Sequence, residues 1–198
     1  QLRVGQAEPF GVMNNLGHSL YGKTLGIIGM GRIGKALARR AIAAGMSVIY
    51  HNRHEIAVDN LLAEGIHASY ISKEILLQEA DFVSLNLPYS PDVHHIIGAQ
   101  ELHLMKPSAY LINTARGAHV DEMALVDALK SKEIAGAAMD VYENEPMISK
   151  ELLTMDNVVL SPHTGTGTWE GRLAMCENVT DNILAFMNNE LDKMNIVL

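Results

Sequence analysis

Only one cysteine, Cys176, occurs in the 198 residues. One thiol permits neither an internal disulfide nor a cysteine-built zinc cage. It fits a reducing compartment, and a cytoplasmic location is expected. Aromatic residues are scarce at 5%, and proline occurs only 6 times. No stretch approaches the roughly 18 uncharged apolar residues of a membrane span, and the longest candidate, Ile42–Tyr50, is short and contains Gly45. Nor does any basic-then-apolar opening resemble a signal peptide. Positive charge is also in deficit, since 15 basic against 23 acidic side chains leave a net charge of −8. That balance argues against nucleic acid or an anionic membrane as the main partner, though a local basic pocket is compatible with it. The remaining composition, 48% hydrophobic and 19% charged, describes an ordinary globule, and the length fits one domain, or one large domain with appendages. The chain opens on Gln1 rather than Met, from which an excised piece of something longer is expected.

Residues 1–20, punctuated by Gly5, Pro9, Gly11, Asn14, Asn15 and Gly17, read as an irregular lead-in. From Lys23 onward short apolar runs alternate with helical patterns. The runs are Thr24–Ile28, Ser47–His51, Phe82–Leu85, Tyr110–Asn113, Gly136–Met139 and Val158–Leu160. Lys35–Ala44 and Glu122–Ser131 have helical periodicity, and Thr168–Asn189 reads as one long helix after the last strand. Such alternation predicts βαβ crossovers and an α/β fold with a doubly wound parallel sheet.

The first run leads directly into Gly29-Met30-Gly31-Arg32-Ile33-Gly34, and a helical pattern follows. This spacing after the first strand marks a Rossmann-type dinucleotide turn. Gly29 permits the tight turn, Gly31 lets backbone approach a pyrophosphate, and Gly34 lets helix pack on strand. The helix N-terminus supplies free N–H groups for the phosphates. The same residues match most of a phosphate loop of the GxxxxGK[S/T] type, but Ala36 stands where a magnesium-holding hydroxyl is needed. At the tip of the second strand, Tyr50-His51-Asn52-Arg53-His54 contains no acid. An acid there would accept the ribose hydroxyls of NAD and repel the 2′-phosphate of NADP. Arg53 can instead bond that phosphate, with Asn52 as a neutral ribose partner, so NADP(H) is favoured and NAD(H) remains possible.

Three later runs end in polar residues: Asn113-Thr114-Ala115-Arg116-Gly117, Asp140-Val141-Tyr142-Glu143-Asn144-Glu145-Pro146, and Ser161-Pro162-His163-Thr164-Gly165. Open α/β sheets place ligands at the carboxyl ends of their strands. An Arg, a Glu and a His delivered there form an anion-binding and proton-transfer set. Together with Val120-Asp121-Glu122 and Ile134-Ala135-Gly136, these segments resemble the NAD(P)-dependent D-isomer-specific 2-hydroxyacid dehydrogenases in order and spacing, from Tyr21 to Asn189. Tyr50-His51-Asn52-Arg53 and His163-Thr164-Gly165-Thr166 look most like the fungal-type glyoxylate, hydroxypyruvate and bulkier 2-oxoacid reductases.

The resemblance implies that Arg116 clamps the substrate carboxylate and 2-oxo oxygen, through a planar fork that Lys lacks. It implies that His163 is the proton donor, and that Glu145 bonds the imidazolium, orients it and keeps it charged near neutrality. By the same resemblance, Asp140 would hold the nicotinamide carboxamide, Thr114 and Gly165 would line that ring, and Pro88 would border the cofactor. The family has two lobes. The implied layout is a lead-in over 1–20, a dinucleotide-binding domain over 21–187 and a tail over 188–198 directed toward a substrate lobe that is largely absent. Reduction of 2-oxoacids by the chain alone is then expected to be poor, and a homodimer through the cofactor domain is expected. The alternative is a non-catalytic dinucleotide-binding sensor or scaffold. Other signals carry less. Adjacent His94 and His95 are not expected to face one metal site, Cys176 reads as a packing residue of the last helix, Trp169 as packing the start of that helix or bordering the active-site mouth, and Tyr70-Ile71-Ser72-Lys73 falls one residue short of a Tyr-x-x-x-Lys pair.

Overall fold

The computed structural model describes residues 16–195. Seven strands form one parallel sheet: β1 (Thr24–Ile28), β2 (Ser47–His51), β3 (Ala68–Tyr70), β4 (Phe82–Leu85), β5 (Tyr110–Asn113), β6 (Gly136–Met139) and β7 (Val158–Leu160). Their order is β3-β2-β1-β4-β5-β6-β7. The chain moves outward from β1 to β3, then crosses to β4 on the other side of β1. This reversal opens a crevice at the carboxyl end of β1, where such sheets bind ligands. Six strands fall on the apolar runs read from sequence. The seventh, β3, is an edge strand of three residues, too short and too polar to declare itself.

Six helices connect or follow the strands: α1 (Arg32–Ala43), α2 (Val58–Ala63), α3 (Lys73–Glu79), α4 (Ala99–Leu104), α5 (Glu122–Lys130) and α6 (Trp169–Met187). Local capping explains several starts. Ser72 accepts from the Ile75 N–H at 3.2 Å, Asp121 from Ala124 at 3.0 Å, and Thr168 from Gly171 at 3.0 Å, each satisfying an orphan donor of the first turn. The N-caps of α1, α2 and α4 are Gly31, Ala57 and Gly98, which supply no side-chain cap, and of the six helices α1 alone also lacks an acid in its first turn.

Alternate residues of β1 face opposite layers. A Cβ on Gly26 would meet Leu76 and Ala80 on the α3 side, whereas Ile27 packs near Gly34 of α1. One core gathers Leu25, Ile27, Met30, Ala38, Tyr50, Leu61 and Ile66. The larger one runs from Leu76 and Leu77 through Leu102, Leu111 and Leu125 to Leu152. Over β4–β7 the face continuing from Leu25 and Ile27 is open among the described residues. There Phe82, Tyr110, Ile112, Ala138 and Val159 line a groove of about 340 Å³.

In α6 only Ala185 is buried. Trp169 is 90% exposed and Cys176 is an exposed free thiol, which corrects the expectation that both pack. Among the described residues, the other apolar side chains of α6 join no buried core. Residues 16–20 have no regular structure, and the first fifteen of the lead-in lie outside the described residues. In the tail, Leu191–Lys193 forms one 3-10 turn, and residues 196–198 lie outside the described range. Among the described residues no helix is long and apolar enough to cross a membrane.

Candidate active site

The turn between β1 and α1 satisfies each steric demand placed on its glycines. Gly29 has φ +100°, and a Cβ there would lie 2.7 Å from the Asn86 backbone. On Gly34 a Cβ would lie 2.3 Å from the Gly29 carbonyl oxygen, while on Gly31 it would enter open space. Gly29 and Gly34 are thus required by the protein's own packing, whereas Gly31 faces open space and leaves room for a ligand. The first intrahelical bond runs from the Lys35 N–H to the Gly31 carbonyl at 2.9 Å, so the N–H groups of Arg32, Ile33 and Gly34 have no intrahelical acceptor. An uncapped, acid-free helix start behind an open glycine fits a pyrophosphate.

Met30 and Asn52 also bind one another. The Met30 side chain is buried, 1% exposed, and its N–H donates to Asn52 Oδ1 at 2.7 Å. Asn52 therefore ties the β2 tip to the glycine turn, leaving its amide N–H groups for a ribose hydroxyl. Arg32 and Ile33 are exposed at the helix start. Arg53 is also exposed, and its Nη2 lies 3.8 Å from Asp92 Oδ2. Pro88 is exposed just beyond β4.

Arg116, Glu145 and His163 line one cavity of about 620 Å³, together with Tyr89, Gly117, Ala118, Tyr142, Glu143, Asn144 and Met147. Each of the three catalytic candidates follows a different strand. The Arg116 loop is shaped by buried Asn113, whose Oδ1 accepts from the Ala115 N–H at 3.1 Å. Its Nδ2 donates to the Arg116 carbonyl at 2.9 Å. Arg116 Nη1 donates to the Ala115 carbonyl at 2.6 Å. A Cβ on Gly117 would lie 2.0 Å from the Tyr142 backbone, so only glycine lets the Arg116 loop approach the loop carrying Glu145.

Glu145 grips both its own loop and the histidine. Its Oε1 accepts from the Tyr142 N–H at 3.0 Å, and its Oε2 pairs with His163 Nδ1 at 2.9 Å. The His163 hydrogen bond, the Tyr142 N–H and the positive fields of His163 and Arg116 hold this carboxyl below its usual range. His163 sits at φ +53°, an uncommon backbone for a non-glycine residue. Asp140 holds that turn in place. Its Oδ1 accepts from the Ser161 hydroxyl and from the Thr164 N–H at 2.9 Å, and its Oδ2 accepts from the Gly165 N–H at 2.9 Å. Burial raises the Asp140 carboxyl, but these donors outweigh it and hold it below the ordinary value. The observed work of Asp140 is to fix the histidine loop. Thr114 and Gly165 are exposed at the ends of their strands.

One histidine pair and one lone buried histidine lie beside the cavity. His95 Nε2 lies 2.7 Å from Glu143 Oε1, and the His95 N–H donates to the Ala118 carbonyl at 2.9 Å. One residue thus links the Arg116 loop to the Glu145 loop. His94 and His95 do not lie on a helix, so the helical spacing used to separate them does not apply. With Glu143 they bring three ligand atoms within 4.8 Å of one another. Their rings, however, stack at 3.9 Å and 20°, so the in-plane lone pairs run parallel and do not converge on one ion. Beneath them His119 is fully buried with neither ring nitrogen hydrogen-bonded. Burial, with the Arg116 charge adding to it, pushes its pKa down against the opposing Pro88 carbonyl, which favours the neutral ring.

The chain matches the family model "D-isomer specific 2-hydroxyacid dehydrogenase, NAD binding domain" over residues 4–165. It is 51% identical over 176 residues to a glyoxylate reductase of Thermococcus litoralis, covering 89% of this chain and 52% of that protein. A crystal structure of a glyoxylate reductase from Paecilomyes thermophila superposes with a TM-score of 0.84 at 44% identity, covering 93% of this chain and 54% of that one. The NAD-complexed D-isomer specific 2-hydroxyacid dehydrogenase of Lactobacillus delbrueckii ssp. bulgaricus gives 0.78 at 32% identity, covering 90% and 57%. The chain therefore spans about half the length of the relatives it matches.

Proposed function

The chain belongs to the D-isomer specific 2-hydroxyacid dehydrogenase family, whose NAD-binding domain it contains, and from that premise we propose that it is the coenzyme-binding part of a 2-oxoacid reductase acting on glyoxylate, hydroxypyruvate or a bulkier 2-oxoacid. Residues 21–187 form the dinucleotide-binding unit, 1–20 an interdomain lead-in, and 188–198 a tail toward a substrate lobe. The protein works in the cytoplasm as a homodimer paired through this domain. One observation carries the catalytic reading: the His163–Glu145 pair, with Nδ1 and Oε2 2.9 Å apart, shares a cavity with Arg116.

The bound nicotinamide would supply the hydride chemistry; everything else falls to side chains. Arg116 presents a planar donor fork to the substrate carboxylate and 2-oxo oxygen. A carboxylate only accepts hydrogen bonds, so Nδ1 of His163 carries a proton toward Glu145. Nε2 is then the nitrogen that gives a proton to the 2-oxo oxygen in reduction and removes it in oxidation. Glu145 holds and orients the ring through its bond to Nδ1. The pyrophosphate rests on Gly31 and the N-terminus of α1, with Asn52 and Arg53 at the ribose end and Pro88, Thr114 and Gly165 along the rest of the cofactor. Asp140 offers the free capacity of Oδ2 to the carboxamide. Arg53 and the lack of an acid at the β2 tip favour NADP(H) over NAD(H).

A non-catalytic sensor would not need a paired imidazole and carboxylate facing a guanidinium, and no observation favours that alternative. NADPH titrated into the 198-residue chain should give a saturable change in nicotinamide fluorescence. Turnover belongs to a chain of the relatives' length. There H163Q should reduce 2-oxoacid reduction by about 10²–10⁴ while leaving the Kd for NADPH within about twofold. Unchanged turnover in H163Q would overturn the proton-donor assignment.

A further inference from the structure

The tips of β2 and β4 flank β1 in the sheet, and each contributes one charged residue to an ion pair across the glycine turn. Arg53 follows β2, and Asp92 belongs to the 3-10 turn Pro91–Val93 that follows β4. Arg53 Nη2 and Asp92 Oδ2 are 3.8 Å apart, with side chains 72% and 82% exposed. Such a pair contributes little to folding, so its consequence lies in what it faces. On the reading above, the adenosine end of the dinucleotide crosses between these two loops.

We infer that Asp92 is a cofactor-specificity residue that tempers the preference of Arg53 for NADP(H). A 2′-phosphate drawn to Arg53 must displace the Asp92 carboxylate from the guanidinium and then lie beside it. Two like charges in contact distance oppose one another even in water. NAD(H), which lacks that phosphate, leaves the Arg53–Asp92 pair undisturbed. Arg53 and Asp92 thus act in opposite directions on one choice, and the sequence at the β2 tip reveals only the first. The absence of an acid there does not leave the phosphate site free of negative charge, because an acid reaches it from the neighbouring crossover.

This inference rests on the dinucleotide reading, and the test separates the two. Binding of NADPH and NADH to the 198-residue chain is measured by calorimetry or fluorescence, for the wild type, D92N, D92S and R53Q. D92N and D92S should each tighten NADPH about three- to fivefold, in line with the strength of exposed ion pairs. NADH should change by less than about twofold, and R53Q should weaken NADPH selectively. Raising the salt concentration should shrink the D92N effect, since both charges are exposed. Binding of both cofactors with an unchanged NADPH-to-NADH ratio in D92N and D92S overturns the role of Asp92 alone. Failure of either cofactor to bind the wild-type chain overturns the dinucleotide reading, and this inference with it. Asp92 is mostly exposed, so its replacement leaves the core intact, and circular dichroism verifies that.

Discussion

Asp140 shows that a residue picked out by its position also holds together the structure around it. The sequence places an acid at the carboxyl end of β6, and Asp140 directly follows that strand. The hydrogen bonds from Ser161, Thr164 and Gly165 place it under the histidine loop. No sequence pattern announces those bonds, because the donors lie more than twenty residues away across a neighbouring strand. D140N should therefore destabilise the fold by about 1–3 kcal/mol at neutral pH, the cost of weakening charged, buried hydrogen bonds. The sign with pH is fixed. A carboxyl depressed in the folded state stabilises above its unfolded value of about 3.9 and loses that contribution as pH falls through the lower folded value. Urea unfolding at neutral and at strongly acid pH should thus show the gap between wild type and D140N closing in acid. A constant gap would deny the ionised carboxylate its role. Arg116, Glu145 and His163 were legible because each follows a strand end in a fixed order. Asn113, Glu143 and His95 were not, because they act on backbone and on one another rather than as a motif.

Strands were legible where the run is apolar, whether one face of it is covered or both. β1, β2, β4, β5, β6 and β7 are apolar runs, whereas β3 and the short helices α2, α3 and α4 gave no pattern long enough to read. The strand-turn-helix unit formed by β1 and α1 is the most strongly specified of all, and its glycines separate folding from binding. Gly34 is pinned against the Gly29 carbonyl, whereas Gly31 faces open space at φ −81°. G34A must push helix from strand and should lower stability by about 1–3 kcal/mol, as overpacking does. G31A adds a methyl group to a free surface at an N-cap position and should alter stability by about 1 kcal/mol or less. Its methyl group would occupy the approach of a pyrophosphate, so dinucleotide affinity should fall by about tenfold or more. Thermal unfolding and cofactor titration of the two variants decide this. If G31A binds as tightly as wild type, the phosphate does not lie against that glycine.

At the scale of the whole molecule, the doubly wound layout is complete over β1–β3 and one-sided over β4–β7 among the described residues. Phe82, Tyr110, Ile112, Ala138 and Val159 line the open face, with Val159 70% exposed. Along α6, Trp169, Leu173, Val179, Ile183, Phe186 and Met187 are each more than half exposed. Sequence periodicity established that α6 forms but not what it meets, because an apolar stripe looks the same whether covered or bare. Contiguous exposed apolar surface of this kind drives association. The 198-residue chain should therefore show a mass above 21.6 kDa in sedimentation or light scattering at high micromolar concentration and dissociate on dilution. Kosmotropic sulfate should strengthen that association, as it strengthens apolar burial. Cys176, exposed midway along α6, reports which surface is used. In dilute solution it should react with a thiol reagent at the rate of an open cysteine. Slower labelling as the mass rises places α6 in the contact, whereas an unchanged rate assigns it to the open sheet face, where V159K should then restore the monomer. A chain that stays monomeric at every concentration would show that neither apolar surface suffices to hold a second copy.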